Sequence, residues 1–568
     1  MTETLPLFGQ GSESASGEVP VNAPGEVPVK TLPPLASQVV EAVAVEHGVC
    51  IRPVPMRRVD LETGETQIVS VPCGHTLASV CPTCAEKKRQ LRAQQCREGW
   101  HLEHEPVIER ADPDAFQRHL IELRAQAQAR RDQAATDGAV MGEGVEFWDG
   151  LIGELDHEIA RAGVVGTLTT AKDGEPTKRR TRSTRRRQDV ADLPRRPVDA
   201  RTIGKVYTGR DGQTFRPSLF LTLTLDSYGK VHSDGTPVDP TTYDYRRAAR
   251  DAIHFGKLFD RFVQNLRRFV GYDVQYFATV EPQRRLAPHL HMAIRGTISR
   301  AELRQVVAAT YHQVWWPPTD RVVYSGENLP VWHASPDGSG GAYVDPRTGE
   351  VLPTWDEALD ALDQDDDAQP LHVVRFGRQI DAQGVMAGTP EAKRRIRHYL
   401  TKYLTKSISE CHQAETDRQR AHVERLAEEL RYEPCSPTCA NWLRYGVQPK
   451  NPRRGLVPGF CKGKAHRREH LGYGGRRVLV SRKWSGKTLA DHKADRVAWV
   501  LARLAEAGIP ATGPAAGDRR YLWERAKPGD GDVKPVTHRI LHLINERVTR
   551  REQLNQALTE LSATTEAA

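Results

Sequence analysis

Glu281-Pro282-Gln283-Arg284-Arg285-Leu286-Ala287-Pro288-His289-Leu290-His291 is the stretch on which the fold turns. It opens on the end of one apolar run, Val274 to Val280, crosses a polar turn from Glu281 to Pro288, and enters a second run from His289 to Ile294. Short apolar runs bounded by turn residues read as strands, so two neighbouring strands are expected here. Residues i and i+2 of a strand face the same way, so His289 and His291 point together, with Leu290 and Met292 on the other face. Two imidazoles on one face form a clamp for a metal ion. Glu281, at the end of the adjacent strand, supplies an oxygen, and an N,N,O set with open positions suits Mg²⁺ or Mn²⁺ acting as a Lewis acid on a phosphate oxygen. A pair of half-exposed strand histidines is the plainer alternative.

Upstream, Phe220-Leu221-Thr222-Leu223-Thr224-Leu225 alternates apolar and threonine side chains and reads as a further strand. Between the strands, Tyr245 to Val270 is a helix candidate. Downstream, Ala392 to Ser407 lacks Gly and Pro and is rich in Arg, Lys and Leu, which predicts a helix. At about 100° per residue, Tyr399, Lys402, Tyr403 and Lys406 share an arc of roughly 100°, with the two tyrosines about 6 Å apart along the axis. A free phenol titrates near pH ~10 and is a poor nucleophile at neutral pH. The Lys402 and Lys406 ammonium groups favour its phenolate and neutralise a phosphate under attack. A metal beside a tyrosine nucleophile can break a DNA strand while keeping the broken end covalently attached. An ordinary amphipathic helix carries the same residues.

The nine cysteines fall mostly in clusters, and the polar N-terminal sequence has no apolar secretory core, which favours a reducing compartment over a disulfide framework. Cys50, Cys73, Cys81 and Cys84, with Cys81-Pro82-Thr83-Cys84 as a knuckle, suit a tetrahedral structural Zn²⁺, His75 being the alternative to Cys73. Cys435, Cys439, Cys461 and His466, with His470 as competitor, form a looser second set. Each would staple a small module that lacks enough apolar surface for its own core.

The chain of 568 residues has 27% charged residues, a formal net charge of +8 and a mean hydropathy of −0.57. Basic runs at Lys178 to Arg187, Arg394 to Lys406, Lys462 to Arg468 and Arg476 to Lys487 suit a phosphate backbone, or a solvated surface. No run is apolar enough to span a membrane. The expected organisation is a disordered tail (1–44), a four-cysteine zinc module (45–110), a helical insert and basic linker (111–200), a catalytic domain (201–411), a helix with a second Cys/His module (412–487) and a helical C-terminal region (488–568). Ser485-Gly486-Lys487-Thr488 resembles a phosphate-binding loop, but Ser481 stands where its first glycine belongs, so no ATPase is read here.

In this order, Phe220–Leu225, Glu281–His291 and Tyr399–Lys406 resemble the three motif blocks of rolling-circle replication initiators of the HUH endonuclease superfamily. Together with the cysteine modules, Val231-His232, Pro237 to Pro240 and Tyr243-Asp244-Tyr245, they are most similar to initiators of actinobacterial plasmids and integrative conjugative elements of the Streptomyces type. Leu286 departs from the family's usual Gly. The resemblance implies an α+β fold, an antiparallel ferredoxin-like sheet with helices packed on one face. It implies that a tyrosine cuts single-stranded or hairpin-extruded origin DNA, leaving a 5′-phosphotyrosine and a 3′-OH primer, with rejoining by the second tyrosine. Tyr403, in the more widely shared part of the motif, is the expected first nucleophile and Tyr399 its partner. Arg284, Arg285, Arg394, Arg395 and Arg397 are the expected DNA contacts. A host helicase, polymerase and single-strand binding protein complete the expected partners, in the bacterial cytoplasm. A conjugative relaxase or single-strand transposase of the same chemistry, or a non-catalytic zinc-stabilised DNA-binding protein, are the other readings.

Overall fold

The computed structural model describes residues 35–566 apart from 61, 101, 103, 109–111, 138–143, 165, 167, 169–185, 205, 211, 213, 336–339, 387–388, 403–413, 475–476, 507–520, 528–529 and 531. The expected tail lies outside these residues for all but its last ten positions, and so do Tyr403, Lys406 and Cys411.

The architecture is mixed α+β, and every paired strand within its sheets is antiparallel. Helix α1 (Ala36–Glu46), strands β1 (Val54–Asp60) and β2 (Thr66–Val71) and helix α2 (Pro82–Trp100) come first. A helical hairpin follows, α3 (Ala115–Asp137) and α4 (Val145–Arg161), tied by Arg124–Asp156 and Arg131–Asp149 ion pairs. After the short β3 (Tyr207–Thr208) and β4 (Thr214–Phe215) come β5 (Pro217–Thr224), α5 (Tyr245–Val270), β6 (Tyr276–Pro282), β7 (Pro288–Arg295) and α6 (Arg300–Ala308). The loop-rich stretch beyond them holds β8 (Tyr311–Val314), β9 (Val331–Ala334), β10 (Gly341–Val344), α7 (Trp355–Gln364) and β11 (His372–Arg375). Strand β12 (Ile380–Met386), α8 (Pro390–Arg395) and a π-helical turn (Ile396–Leu400) lead to α9 (Asp417–Tyr432), β13 (Val478–Val480), α10 (Leu489–Glu506), β14 (Tyr521–Arg525) and α11 (Val536–Glu566).

The central sheet has the order β12-β5-β7-β6-β13. Period-2 alternation gives it two different faces. Leu219, Leu221 and Leu223 of β5 and Leu290, Met292 and Ile294 of β7 point to one side. There α5 lays Phe255, Leu258, Phe259, Phe262 and Leu266 across them, all at most 2% exposed, and α6 adds Leu303 and Val306. Asp244 caps α5 by accepting from the Arg247 amide, and Gly271 ends it at a φ of 79°, the left-handed conformation that glycine adopts without steric cost.

The expected covering of one face only is corrected by the structure. The opposite face carries Phe220, Phe277 and Ala293, and α2, α8 and the π-helical turn pack there through Cys96, Trp100, Ala392, Ile396 and Leu400, joined by Trp484. A sheet with apolar residues on both sides needs cover on both. The strand β14 also interrupts the C-terminal region expected to be helical. It extends the β1–β2 hairpin, and α11 packs Ile540, Leu543 and Ile544 against α1 and the first cysteine set.

Candidate metal and tyrosine site

The register of the central strands builds the site. His289 lies across from Thr224 on β5 and Glu281 on β6, and His291 lies across from Thr222 and Thr279. Glu281, His289 and His291 therefore project from one face, and one ligand atom of each comes within 4.8 Å of the others. The His291 Nε2 atom stands 3.4 Å from a Glu281 carboxylate oxygen. Each imidazole is braced behind by a hydroxyl: Thr222 Oγ1 is 3.1 Å from His291 Nδ1, and Thr224 Oγ1 is 2.8 Å from His289 Nδ1. Outer partners of this kind fix ring orientation and leave the other nitrogen for a metal. Burial, helped by the nearby His291 and Arg285 charges, pushes the His289 imidazole down to about 3. It is neutral at physiological pH, the form in which imidazole ligates. The threonines were legible as strand residues in the sequence, but their bracing role was not, because it depends on cross-strand register.

Leu286 departs from the expected Gly at the turn that aims these histidines. It adopts φ +65°, in the left-handed region, and is 1% exposed in the main core. Its apolar burial offsets a backbone cost of roughly 1–2 kcal/mol.

Above the histidines sits Tyr399. Its ring centroid is 5.2 Å from that of His291 and 5.6 Å from that of Phe220, and the residue is 38% exposed. The backbone around it is not the regular α-helix expected from the sequence. Residues Ile396–Leu400 form a π-helical turn closed by the Thr401 amide to the Ile396 carbonyl, with the Thr401 hydroxyl donating to the same oxygen. The i+5 closure and the non-helical Thr401 (φ −125°) end the helix there, so the 100° arc drawn from Tyr399 through Lys402 does not hold. Lys402 follows in an exposed turn.

The predicted arginines divide. Arg284 and Arg394 are exposed. Arg285 donates to Gln283 Oε1 (2.8 Å) and the Leu225 carbonyl (2.5 Å), holding the turn. Arg395 is 8% exposed; it donates to Gln383 and Glu391 and lies over the rings of Phe220 (5.1 Å) and Tyr399 (5.5 Å). Arg395 and Arg285 are thus bound up within the fold. Arg397 lies in the π-helical turn.

Both cysteine sets assemble. Cys50, Cys73, Cys81 and Cys84 bring their sulfurs within 4.8 Å of one another, at the junction of α1, the β1–β2 hairpin and the start of α2. Cys435, Cys439, Cys461 and His466 do the same, with His466 Nε2 3.4 Å from Cys439 Sγ and its Nδ1 2.7 Å from the Leu430 carbonyl. Each group can hold a metal such as zinc. His466 rather than His470, and Cys73 rather than the exposed His75, join these clusters. Cys96 is buried in the apolar cover of the sheet instead.

Among the described residues, no helix is long and apolar enough to cross a membrane. The family profile described as replication initiator protein, pSAM2, matches residues 36–546. A replication initiator protein of Streptomyces ambofaciens is 25% identical over 389 residues, 60% of this chain and 74% of its own length. No solved structure matches the chain. With a family match that runs through the paired histidines, the tyrosine turn and both cysteine clusters, the chain belongs to the Streptomyces-type family of replication initiator proteins.

Proposed function

We propose that this replication initiator opens an origin by nicking one DNA strand through a tyrosine, in a ferredoxin-like catalytic domain of the HUH type, and so starts rolling-circle replication. The observation that carries the reading is the convergence of Glu281, His289 and His291 on one sheet face with the Tyr399 ring packed 5.2 Å from His291. The four strands β5, β6, β7 and β12 lie in the order fourth-first-third-second, with α5 connecting the first two, which supports the split β-α-β arrangement.

A divalent ion such as Mg²⁺ or Mn²⁺ held by Glu281, His289 and His291 would supply Lewis-acid polarisation of the scissile phosphate. Thr222 and Thr224 hold the imidazoles in ligating orientation. The tyrosine Oη gives up its proton to solvent and attacks phosphorus; the Oη–P bond forms as the P–O3′ bond breaks, and the departing O3′ takes up a proton from solvent. The products are a 5′-phosphotyrosine and a 3′-OH that primes synthesis. The linkage conserves the energy of the broken bond, so rejoining by the second tyrosine needs no nucleotide. Tyr399 and Tyr403 are the two nucleophiles, and Lys402 and Lys406 are their cationic neighbours. The two cysteine clusters hold structural Zn²⁺, and unwinding, synthesis and strand protection fall to host proteins in the bacterial cytoplasm.

Incubating the protein and Mn²⁺ with a supercoiled plasmid carrying the origin that adjoins this gene should give nicked DNA bearing covalently attached protein. Intact plasmid from folded, DNA-binding protein would favour a binding-only initiator. In that assay Tyr403→Phe abolishes the first cut if Tyr403 leads, whereas loss confined to Tyr399→Phe transfers the lead to Tyr399.

A further inference from the structure

On the far side of the central sheet from the histidines, α5 borders a pocket of about 150 Å³. Arg261, Asn265 and Arg268 line it from one helical face, at i, i+4 and i+7. The segment before β3 forms the facing wall and contributes Arg186 and Arg195, and Tyr311 and Gln313 of β8 close the end. That wall is fixed rather than draped: the Arg196 amide donates to the Arg268 carbonyl (2.8 Å), the Arg187 amide to the Tyr311 hydroxyl (2.8 Å) and the Asp199 amide to the Gly271 carbonyl (3.1 Å).

Four guanidinium groups thus face one cavity whose lining contains no carboxylate. Arg186 is paired with Asp192 beside the pocket. Arg195, Arg261 and Arg268 are exposed and make no ion pair among the described residues. Converging like charges repel, and planar guanidinium forks match the oxygens of phosphate. The space is large enough for a phosphodiester group. Only Tyr311 could serve as a stacking surface, so backbone oxygens fit better than bases.

We infer that this pocket anchors the phosphate backbone of duplex DNA, at a place remote from the metal and tyrosine site. DNA is the partner of a replication initiator, and a second anchor across the sheet makes the duplex follow the domain's edge from the anchor to the cut. Such contacts position the protein without reading sequence.

The test is binding, and so it is separable from whether the protein nicks. A linear duplex of mixed sequence is titrated with the full-length protein at several salt concentrations. The double variant Arg261→Gln/Arg268→Gln should bind about tenfold more weakly, with the log–log salt slope shallower by ~2, about one for each phosphate that is no longer neutralised. Arg261→Lys/Arg268→Lys should recover most of the affinity, since both charges return. Thermal melting of the free proteins checks that both variants fold. Unchanged duplex affinity and salt slope in a folded Gln variant overturn the inference. So does a variant that loses only a stabilisation by inorganic phosphate while keeping its duplex affinity, because the pocket then takes a free anion.

Discussion

Arg395 shows how a residue's role depends on where its side chain ends. As part of a basic run it reads as a DNA contact, yet it is 8% exposed, stacked beneath Tyr399 and Phe220 and hydrogen-bonded to Gln383 and Glu391. It supports the tyrosine from below. Arg395→Gln should destabilise the fold by about 2 kcal/mol, the scale of a charge-assisted hydrogen bond and a cation–π interaction in a buried setting. It should also lower nicking more than duplex binding. Denaturant melts and parallel binding and nicking assays check this; a loss of binding equal to the loss of nicking would return Arg395 to the DNA surface. Leu286 presents the converse case. Leu286→Gly relieves roughly 1–2 kcal/mol of left-handed backbone cost, but deletes a side chain whose loss costs about 2–5 kcal/mol when only truncated to Ala. The variant should therefore be net destabilised by about 1–3 kcal/mol in urea melts. A stabilised Leu286→Gly would mean that strain, rather than packing, dominates the turn.

Among the elements, α2 spans two parts of the molecule. Its first turn carries Cys84 of the first cluster, and its last buries Cys96 and Trp100 against the sheet face that holds the site. Gly99 permits this close approach: a Cβ there would lie 2.2 Å from the Trp484 ring and 2.5 Å from its carbonyl oxygen. Gly99→Ala must move backbone or indole and should cost about 1–3 kcal/mol, as overpacking of a filled core does. A melting temperature equal to wild type would show that α2 can slide without penalty. The three central strands β5, β6 and β7 were legible because their apolar runs, and the threonine alternation of β5, are local. The π-helical turn was not, since its helix-favouring composition says nothing about an i+5 closure selected by Thr401 and by packing of Ile396 and Leu400 on the sheet.

Across the whole molecule, the N-terminal and C-terminal regions meet. Strand β14 extends β1, Arg57 pairs with Asp530 at 3.0 Å, Arg539 donates to the Pro53 carbonyl at 2.9 Å, and Ile540 is 2% exposed against the first cysteine cluster. Metal loss at that cluster should therefore loosen the C-terminal helix as well as the N-terminal module. A strong zinc chelator is expected to lower the melting temperature and to expose residues 536–545 to amide exchange, because metal-binding energy is folding energy in small clusters. Cys81→Ser should do the same and reduce bound zinc from two per chain to one; two zinc ions retained in that variant would remove the first cluster from the account. Ile540→Ala should destabilise the same unit by about 2–4 kcal/mol without touching a ligand.

The sequence by itself determined the three central strands β5, β6 and β7, the long helix α5, the side chains that gather in the candidate metal clusters and the family, because periodicity and residue spacing are written in short stretches of chain. Tertiary structure alone decided the rest. Cross-strand register put Thr222 and Thr224 behind the histidines, packing turned Arg395 inward beneath Tyr399, and long-range contact brought Tyr521–Arg525 and Ile540 to the N-terminal cluster. These relations join residues far apart in the chain, and their energy comes from burial and hydrogen bonding that exist only once both partners are in place.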